Sequence, residues 1–334
     1  MLLGVHPGSQ PEGREPQRQV LAQTLLKHCL QRRRAIRSTT SNDSGVSGVQ
    51  RSIHPSFRSV LADNEIVRVA GANHALGGLL AEEAGFQAVW SSSLEVSASR
   101  ALPDASILSM TEYLEAAANI QKALRIPVVA DCDTGYGGNL NVAHMVHEFE
   151  AAGITAICIE DKLFPKMNSF AAGGQTLLGT KEFADKIRTA KAAQATQDMF
   201  VIARTEALIS GLDVDAALER ARAYADAGAD AVLVHSKVKT RDQVVGFLEG
   251  WDNRVPVVIV PTTYPDWHID EIKQAGVSVV IYANQGLRAT VSALRETYRS
   301  VYETGDSTAV ENSIASVQDI FALQGLEAWQ KLDV

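Results

Sequence analysis

Two carboxylates stand close together in the segment Ala-Asp-Cys-Asp-Thr-Gly-Tyr-Gly (residues 130–137). In an extended chain alternate side chains share a face, so we expect Asp131 and Asp133 to point together and Cys132 to point away. Adjacent carboxylates raise each other's pKa unless a cation lies between them. Because Mg2+ takes oxygen ligands and keeps several waters, the pair predicts a magnesium site. A solvated turn after a strand is the alternative interpretation of this stretch alone.

These carboxylates end one of eight short apolar runs that alternate with helical patterns. The predicted strands are residues 66–70, 88–91, 127–131, 156–160, 200–204, 231–235, 256–261 and 277–283. Several of the intervening helical patterns end in an Ala-Gly pair, which commonly stops a helix. Apolar strands that alternate with helices indicate parallel strands covered by helices, and eight such units predict a (β/α)8 TIM-type barrel. A doubly wound open sheet is the alternative, because a strand count does not prove closure.

Polar residues follow five of the predicted strands. They are Trp90 and Ser92, Asp131 and Asp133, Glu160 and Asp161, Arg204 and Glu206, and His235 and Ser236. Barrel enzymes build their sites at the carboxyl ends of the strands, so these side chains are expected to meet in one volume. Taken singly, Arg204 could form an ion pair at the rim and His235 could be a core histidine.

The segment after the fourth strand, residues 160–175, is longer than a usual barrel connection, and such loops are usually lids or binding elements. Gly173 and Gly174 give it hinge freedom, while Lys166, Asn168 and Ser169 offer donors for an anionic substrate. An exposed tip without a ligand is the alternative.

Charge is distributed unevenly along the 334 residues. Residues 1–58 hold nine basic and three acidic residues, whereas the whole chain has a net charge of -8. The acidic body argues against nucleic acid as a partner, and no apolar run is long enough for a membrane helix. We expect residues 1–56 to be a disordered basic extension, with an organellar presequence as the alternative, and residues 57–334 to form the catalytic barrel. Three cysteines without metal or disulfide spacing indicate a reducing compartment, and we expect a cytoplasmic protein.

The loop and the carboxylate turn together resemble the phosphoenolpyruvate mutase branch of the isocitrate lyase superfamily. The resemblance covers roughly residues 57–325. The motifs that carry it are Glu-Asp-Lys-Leu-Phe-Pro-Lys-Met-Asn-Ser (160–169), Asp-Cys-Asp-Thr-Gly-Tyr-Gly (131–137), Glu-Glu-Ala-Gly-Phe (82–86), Ile-Ala-Arg-Thr-Glu-Ala (202–207), Gly-Ala-Asp-Ala (228–231), His-Ser-Lys (235–237) and Val-Ile-Val-Pro-Thr (258–262).

The resemblance implies a Mg2+ enzyme, an isomerase that interconverts phosphoenolpyruvate and phosphonopyruvate by making or breaking a carbon–phosphorus bond. A metaphosphate-like species would pass between the oxygen and the carbon of a pyruvate enolate stabilised by the metal. The implied metal ligands are Asp131 directly and Asp104, Asp133 and Glu160 through water. The implied substrate contacts are Ser92 and the adjacent backbone at Ser93 for the carboxylate, Arg204, His235 and Asn168 for the phosphoryl group, and Lys166 from the loop. Trp90 and Ser169 are further implied substrate-binding residues.

Three other functions are chemically or structurally close. A phosphonopyruvate hydrolase tends to carry threonine where this chain has Asn168, although residues 102–110 and 261–265 are close to the hydrolase pattern. A carbon–carbon lyase of the superfamily has a cysteine in the loop, and this loop has none. An inactive scaffold would lack Asp131, Arg204 or His235, and all three are present.

Two departures from the family pattern bear on substrate preference. Asn73-His74 reverses the usual order, and Ser93 stands where a glycine is common. The apolar spacing of residues 286–302 and 316–324 predicts helices beyond those that close one barrel. In relatives such helices exchange between subunits, so the resemblance implies a homodimer or homotetramer.

Overall fold

The computed structural model describes residues 54–333, and these form a closed barrel of eight parallel strands. The strands are β1 (Val67–Ala72), β2 (Ala88–Ser91), β3 (Val128–Asp131), β4 (Ala156–Glu160), β5 (Phe200–Thr205), β6 (Ala231–Val234), β7 (Val257–Ile259) and β8 (Val279–Tyr282). Each strand pairs with the next in chain order, and β8 pairs with β1. The predicted (β/α)8 barrel is therefore confirmed, and the open sheet is excluded.

Helices follow the strands around the barrel. They are α1 (Phe57–Ala62), α2 (Ala75–Ala84), α3 (Ser93–Ser99), α4 (Met110–Ala123), α5 (Asn139–Ala151), α6 (Thr180–Ala193), α7 (Val214–Asp226), α8 (Asp242–Gly250), α9 (Ile269–Gln274), α10 (Gln285–Thr304), α11 (Thr308–Glu311), α12 (Val317–Gln324) and α13 (Leu326–Gln330). No helix within residues 54–333 is both long enough and apolar enough to cross a membrane.

The core has an inner part and an outer part because successive strand residues face opposite ways. Inside the barrel, Val129, Cys158, Ile202 and Leu233 pack together with Trp90. The outward-facing strand residues pack against the helices in two further clusters. This alternation decides which residue at each strand end reaches the space above the barrel.

The amino end of the barrel is covered by α1. The Phe57 ring is fully buried and meets the Phe200 ring edge to face at 5.3 Å. Its backbone N–H donates to the Thr155 hydroxyl at 3.0 Å. The predicted N-terminal extension, residues 1–56, lies outside the described residues except for its last three.

Candidate active site

Five strands each send one polar side chain into the space above the barrel interior. Ser92, Asp131, Glu160, Arg204 and His235 each stand two positions after an inward-facing core residue of β2, β3, β4, β5 or β6. The period of two in a strand gives these side chains the same inward direction as those core residues. They therefore meet at the carboxyl end of the barrel, as predicted from the sequence.

An open cavity lies at this end. The predicted residues that line it are Trp90, Ser92, Ser93, Asp104, Asp131, Lys166, Asn168, Ser169, Arg204 and His235. Asp133 and Glu160 are buried beside the cavity rather than in its lining. Asp161 and Ser236 also lie outside it, since Asp161 faces α7 and the Ser236 hydroxyl donates to Gln243 of α8 at 2.7 Å.

The two carboxylates of the opening motif come together through a turn. β3 ends at Asp131, and Asp133 has a φ of 49°, so the expectation of an extended chain through residue 133 is wrong. Gly135 follows with a φ of 84°, and a Cβ there would lie 2.6 Å from the Val142 side chain of α5. Cys132 faces the helices, as expected, and is buried against α5. The turn returns Asp133 toward Asp131 after the strand has ended.

Ser93 holds Asp131 from the start of α3. Its backbone N–H and its hydroxyl both donate to Oδ2 of Asp131, at 3.3 and 2.9 Å. Burial raises the pKa of Asp131 and raises that of Asp133 to about 7. The site therefore concentrates carboxyl groups where water cannot stabilise their charge, which favours a nearby cation.

In the structure the ammonium group of Lys166 supplies positive charge to these carboxylates. Its Nζ lies 2.8 and 2.9 Å from the two Asp104 oxygens, 3.0 Å from Oδ1 of Asp133 and 3.3 Å from the Ser93 hydroxyl. Burial would lower the pKa of Lys166, but the surrounding carboxylates, Asp133 first, hold it well above its ordinary value. Lys166 is thus a permanent cation at the carboxylate side of the cavity.

The donor set suits a hard divalent cation held mainly through water. Asp104, Asp131, Asp133 and Glu160 offer only oxygen ligands, the kind that Mg2+ prefers. Oδ2 of Asp133 is buried without a hydrogen bond, whereas Oδ1 of Asp133 and Oε1 of Glu160 are buried and interact only with the ammonium groups of Lys166 and Lys162. Within residues 54–333 no three acidic, histidine or cysteine side chains converge closely enough to hold an ion by themselves. The oxygen donors of these four carboxylates therefore fit a hard divalent cation.

The opposite side of the cavity is cationic and rich in donors. Nη2 of Arg204 lies 2.8 Å from Nδ1 of His235 and donates to the Ser169 hydroxyl at 3.0 Å. Burial and the neighbouring guanidinium lower the pKa of His235, so its imidazole is neutral at pH 7. Nε2 of His235 is buried without a hydrogen-bond partner. Phe170 covers this ring edge to face at 5.6 Å.

The loop between β4 and α6, residues 161–179, brings Lys166, Asn168, Ser169 and Phe170 to the cavity. Asn168 donates from Nδ2 to Oδ2 of Asp104 at 2.7 Å, and its backbone N–H donates to the Asp104 carbonyl at 3.0 Å. The loop therefore joins the carboxylate side of the cavity to its cationic side. We call it the β4–α6 loop.

Beneath this loop lie four alternating charges at the ends of β4 and β5, which we call the charge quartet: Glu160, Lys162, Arg204 and Glu206. Glu160 and Arg204 stand opposite each other in the pairing of β4 with β5, and Nε of Arg204 lies 3.3 Å from Oε2 of Glu160. Nε of Arg204 also lies 2.6 Å from Oε1 of Glu206. Nζ of Lys162 lies 3.1 Å from Oε2 of Glu206 and 3.7 Å from Oε1 of Glu160. Burial alone would raise the pKa of Glu206, but Arg204, His235 and Lys162 hold it well below its usual range.

Lys162 and Asn284 are absent from the predicted site, and Glu206 is predicted to lie near it but is given no role there. Glu206 stands two positions after Arg204, so the strand alternation carries a signal for it. Asn284 lines the cavity, and its Oδ1 is buried without a hydrogen-bond partner. Its sequence signal is weak, because the inward-facing position next to it is occupied by Ala283.

The two residues that depart from the family pattern at positions 73 and 74 do not line the cavity. Asn73 donates from Nδ2 to the Glu95 carbonyl at 3.2 Å, and Nδ1 of His74 accepts from the Gly77 N–H at the start of α2 at 2.9 Å. In this chain, therefore, Asn73 stabilises the contact with α3 and His74 caps α2.

Comparisons with known proteins agree with this geometry. The sequence profile described as phosphoenolpyruvate phosphomutase matches residues 57–302. A phosphonopyruvate hydrolase from Variovorax sp. (strain Pal2) is 43% identical over 279 residues, which cover 83% of this chain and 96% of the hydrolase. A solved phosphoenolpyruvate phosphomutase from Streptomyces platensis subsp. rosaceus is 50% identical with a TM-score of 0.81, over 83% of this chain and 96% of that one.

A solved phosphonopyruvate hydrolase in complex with oxalate and Mg++ is 42% identical with a TM-score of 0.79, over 83% of this chain and 96% of that one. The profile match alone spans most of the chain and contains every predicted site residue. The chain is therefore a member of the phosphoenolpyruvate phosphomutase family, within the superfamily that includes the isocitrate lyases.

Proposed function

We propose that this protein is a phosphoenolpyruvate mutase, an isomerase that interconverts phosphoenolpyruvate and 3-phosphonopyruvate. The observation that carries the proposal is the position of the β4–α6 loop, which places Asn168 in the cavity between Asp104 and the cationic wall. An amide at this position can hold a phosphoryl group during transfer between the oxygen and the carbon of the same pyruvate unit. That transfer needs alignment and charge stabilisation more than covalent chemistry.

We propose Mg2+ as the cofactor, with Asp131 as the direct ligand and Asp104, Asp133 and Glu160 acting through water. When bound, the ion would supply positive charge that stabilises a pyruvate enolate. The proposal is supported by the oxygen-only donor set, by the buried Oδ2 of Asp133, which has no hydrogen bond, and by the Mg++ named in the complex of the related hydrolase.

Residues of this chain would hold the two ends of the substrate. Ser92, Ser93 and Trp90 lie on the wall formed by β2 and α3, and we assign them to the substrate carboxylate. Arg204, His235, Asn168 and Ser169 lie on the other wall, and we assign them to the phosphoryl group. Because His235 is neutral at pH 7, its ring can donate or accept one hydrogen bond without adding charge.

Exclusion of water separates the mutase from a hydrolase. A metaphosphate-like species that meets water gives phosphate and pyruvate, so the transfer requires a dry cavity. Phe170 and the other loop residues cover the phosphoryl wall, and the Phe170 ring packs on His235. This cover supports the mutase assignment.

A phosphonopyruvate hydrolase is the second candidate, and the relative at 43% identity favours it. Residues 102–110 and 261–265, which are close to the hydrolase pattern, also favour it. A carbon–carbon lyase has less support, because the loop that covers this cavity contains no cysteine. An inactive scaffold has less support because Asp131, Arg204 and His235 all line one cavity.

The test is to incubate the purified chain with Mg2+ and phosphonopyruvate and to follow the phosphorus species by 31P NMR. Asp131→Ala is the control variant, and it should lower the rate at least about 1,000-fold, since it removes the residue assigned to bind the metal directly. Conversion to phosphoenolpyruvate without inorganic phosphate is the expected result. Inorganic phosphate with pyruvate would instead identify a hydrolase.

We also propose that the chain forms a homodimer or a homotetramer through its C-terminal helices. None of the 20 residues of α10 is buried within the single chain. Its exposed apolar side chains, Val291, Leu294, Tyr298 and Tyr302, recur at helical spacing on one side. A second copy of the chain would cover this face.

A further inference from the structure

Lys162 is a fully buried lysine that does not line the cavity. A buried ammonium group is costly unless each of its protons meets an acceptor. Its Nζ donates to the Met167 carbonyl at 2.9 Å and to the Ser169 hydroxyl at 2.9 Å, and it lies 3.1 Å from Oε2 of Glu206. Three acceptors therefore match the three protons of the ammonium group.

Two of these acceptors belong to the tip of the β4–α6 loop, on either side of Asn168. The Met167 carbonyl precedes Asn168 and the Ser169 hydroxyl follows it. The Ser169 hydroxyl in turn donates to Oε2 of Glu206 at 2.5 Å and accepts from Nη2 of Arg204 at 3.0 Å. The loop tip is thus hydrogen-bonded to the charge quartet at two points, one on each side of Asn168.

The third acceptor belongs to the rigid part of the barrel. Glu206 is fully buried and receives hydrogen bonds from Nε of Arg204 at 2.6 Å and from the Ser169 hydroxyl, and it lies 3.0 Å from Nδ1 of His235. Its backbone N–H donates to Oδ1 of Asp161 at 2.8 Å. Asp161 is itself held by the Tyr224 hydroxyl of α7 at 2.7 Å. Lys162 therefore joins a loop segment to a point that is fixed by both a strand and a helix.

We propose that Lys162 is a positioning residue that holds the tip of the β4–α6 loop against Glu206 and so keeps Asn168 over the cavity. It acts through the loop and does not touch the substrate. The inference rests on the proposed function in one respect, because the product ratio that Lys162 controls is that of phosphoryl transfer within the substrate against transfer to water. The attachment of the loop itself can be measured without any reaction.

The experiment compares Lys162→Met with Lys181→Met, the same substitution at an exposed lysine at the start of α6. Amide hydrogen exchange over residues 163–175 is measured in the full chain, with and without Mg2+ and oxalate. Exchange in this segment should become about 10- to 100-fold faster in Lys162→Met, the factor to which hydrogen bonds from a charged donor correspond. The barrel strands should keep the exchange rates of the wild type, and Lys181→Met should match the wild type throughout.

Removal of one charge from the buried quartet could prevent Lys162→Met from folding. The pair Lys162→Met/Glu206→Gln removes one charge of each sign, and Glu206→Gln alone is its reference. The double variant should still exchange the loop amides at least about 10-fold faster than Glu206→Gln, because only it lacks the ammonium donor. Equal loop exchange in these two proteins, or wild-type loop exchange in a folded Lys162→Met, would overturn the inference.

Turnover measurements distinguish a positioning role from a purely structural one, because only loss of positioning should change the share of inorganic phosphate among the products. With phosphonopyruvate as substrate, Lys162→Met should lower kcat more than it raises KM, and the share of inorganic phosphate among the products should rise. A drop in activity with an unchanged share of phosphate and unchanged loop exchange would contradict the positioning role. If the wild type forms neither product, the proposed function fails, and the exchange comparison still decides the role of Lys162.

Discussion

Ser93 donates two hydrogen bonds to the same carboxylate oxygen of Asp131, one from its backbone N–H at 3.3 Å and one from its hydroxyl at 2.9 Å. A glycine, which the resemblance to the family leads us to expect at this position, could make only the first. Ser93 begins α3 with ordinary helical geometry, so the chain needs no glycine there. The hydroxyl is an additional support for the carboxylate that we assign to the metal.

Removal of this hydroxyl should weaken metal binding. In Ser93→Ala the backbone N–H remains, but the orientation of Asp131 becomes less defined, and loss of such outer contacts typically costs about 10-fold or more in metal affinity. The Mg2+ concentration that gives half-maximal activity should rise by that factor. Ser99→Ala on the same helix, whose hydroxyl donates only to the Val96 carbonyl, is the matched control. An unchanged Mg2+ requirement in Ser93→Ala would contradict this role.

The amide of Asn168 should control the fate of the phosphoryl group. Asn168→Thr loses the Nδ2 hydrogen bond to Asp104 and shortens the side chain that reaches into the cavity. We expect the ratio of inorganic phosphate to phosphoenolpyruvate formed from phosphonopyruvate to rise at least about 10-fold, since one hydrogen bond to a charged group is lost and water gains access. The ratio is read by 31P NMR. A lower total rate with an unchanged ratio would show that Asn168 only supports the loop.

Glu95 should make stability depend on pH. Burial raises its pKa from 4.5 to about 7, although the Leu287 N–H of α10 opposes the rise. The folded chain therefore holds this proton between about pH 4.5 and pH 7, where the unfolded chain loses it, so the contribution to stability falls as pH rises through that window. Glu95→Gln carries no charge at any pH. Its stability relative to the wild type should improve by about 2–3 kcal/mol between pH 5 and pH 8.

Urea denaturation of both proteins at the two pH values checks this prediction. The wild type should unfold at a lower urea concentration at pH 8 than Glu95→Gln does, and the gap should narrow at pH 5. A constant difference between the two proteins would mean that Glu95 stays ionised, or stays neutral, throughout the range.

The exposed face of α10 should mediate assembly. Leu294→Glu places a charge among apolar side chains that a second copy would bury, and an unpaired buried charge should raise the dissociation constant at least about 100-fold. Light scattering after gel filtration should then give the mass of a smaller species. Ser292→Glu adds the same charge two positions away, on the opposite side of the helix, and should leave the mass unchanged. A monomeric wild type would contradict the proposed assembly.

The barrel and the direction of most site residues can be predicted from the sequence because both follow from short periodicities. Apolar runs give the strands, and a step of two from each inward-facing residue gives Ser92, Asp131, Glu160, Arg204 and His235. The observed strands differ from the predicted ones only at their ends, as in β7, which is Val257–Ile259 rather than residues 256–261. These features are local, so a single sequence contains them.

Contacts that depend on strand register are not contained in this periodicity. The pairing of Glu160 with Arg204 across β4 and β5 is what brings Lys162 next to Glu206. The loop contains two lysines whose different positions the sequence does not reveal. Lys162 lies under the loop and donates to the Met167 carbonyl, whereas Lys166 enters the carboxylate cluster and donates to Asp104. Asp133 reaches the site through a left-handed turn, which alternation does not describe.

Gly135, in the turn that carries Asp131 and Asp133, illustrates a limit on mutational tolerance. Any side chain there would meet Val142 of α5 and would also be strained by the φ of 84°. A side chain at Gly135 would therefore require a smaller residue in place of Val142 of α5. In a saturation mutagenesis screen Gly135 should behave like an active-site residue, although it lies outside the lining of the cavity. Intolerance at this position would report the shape that places the carboxylates and would say nothing about contact with the substrate.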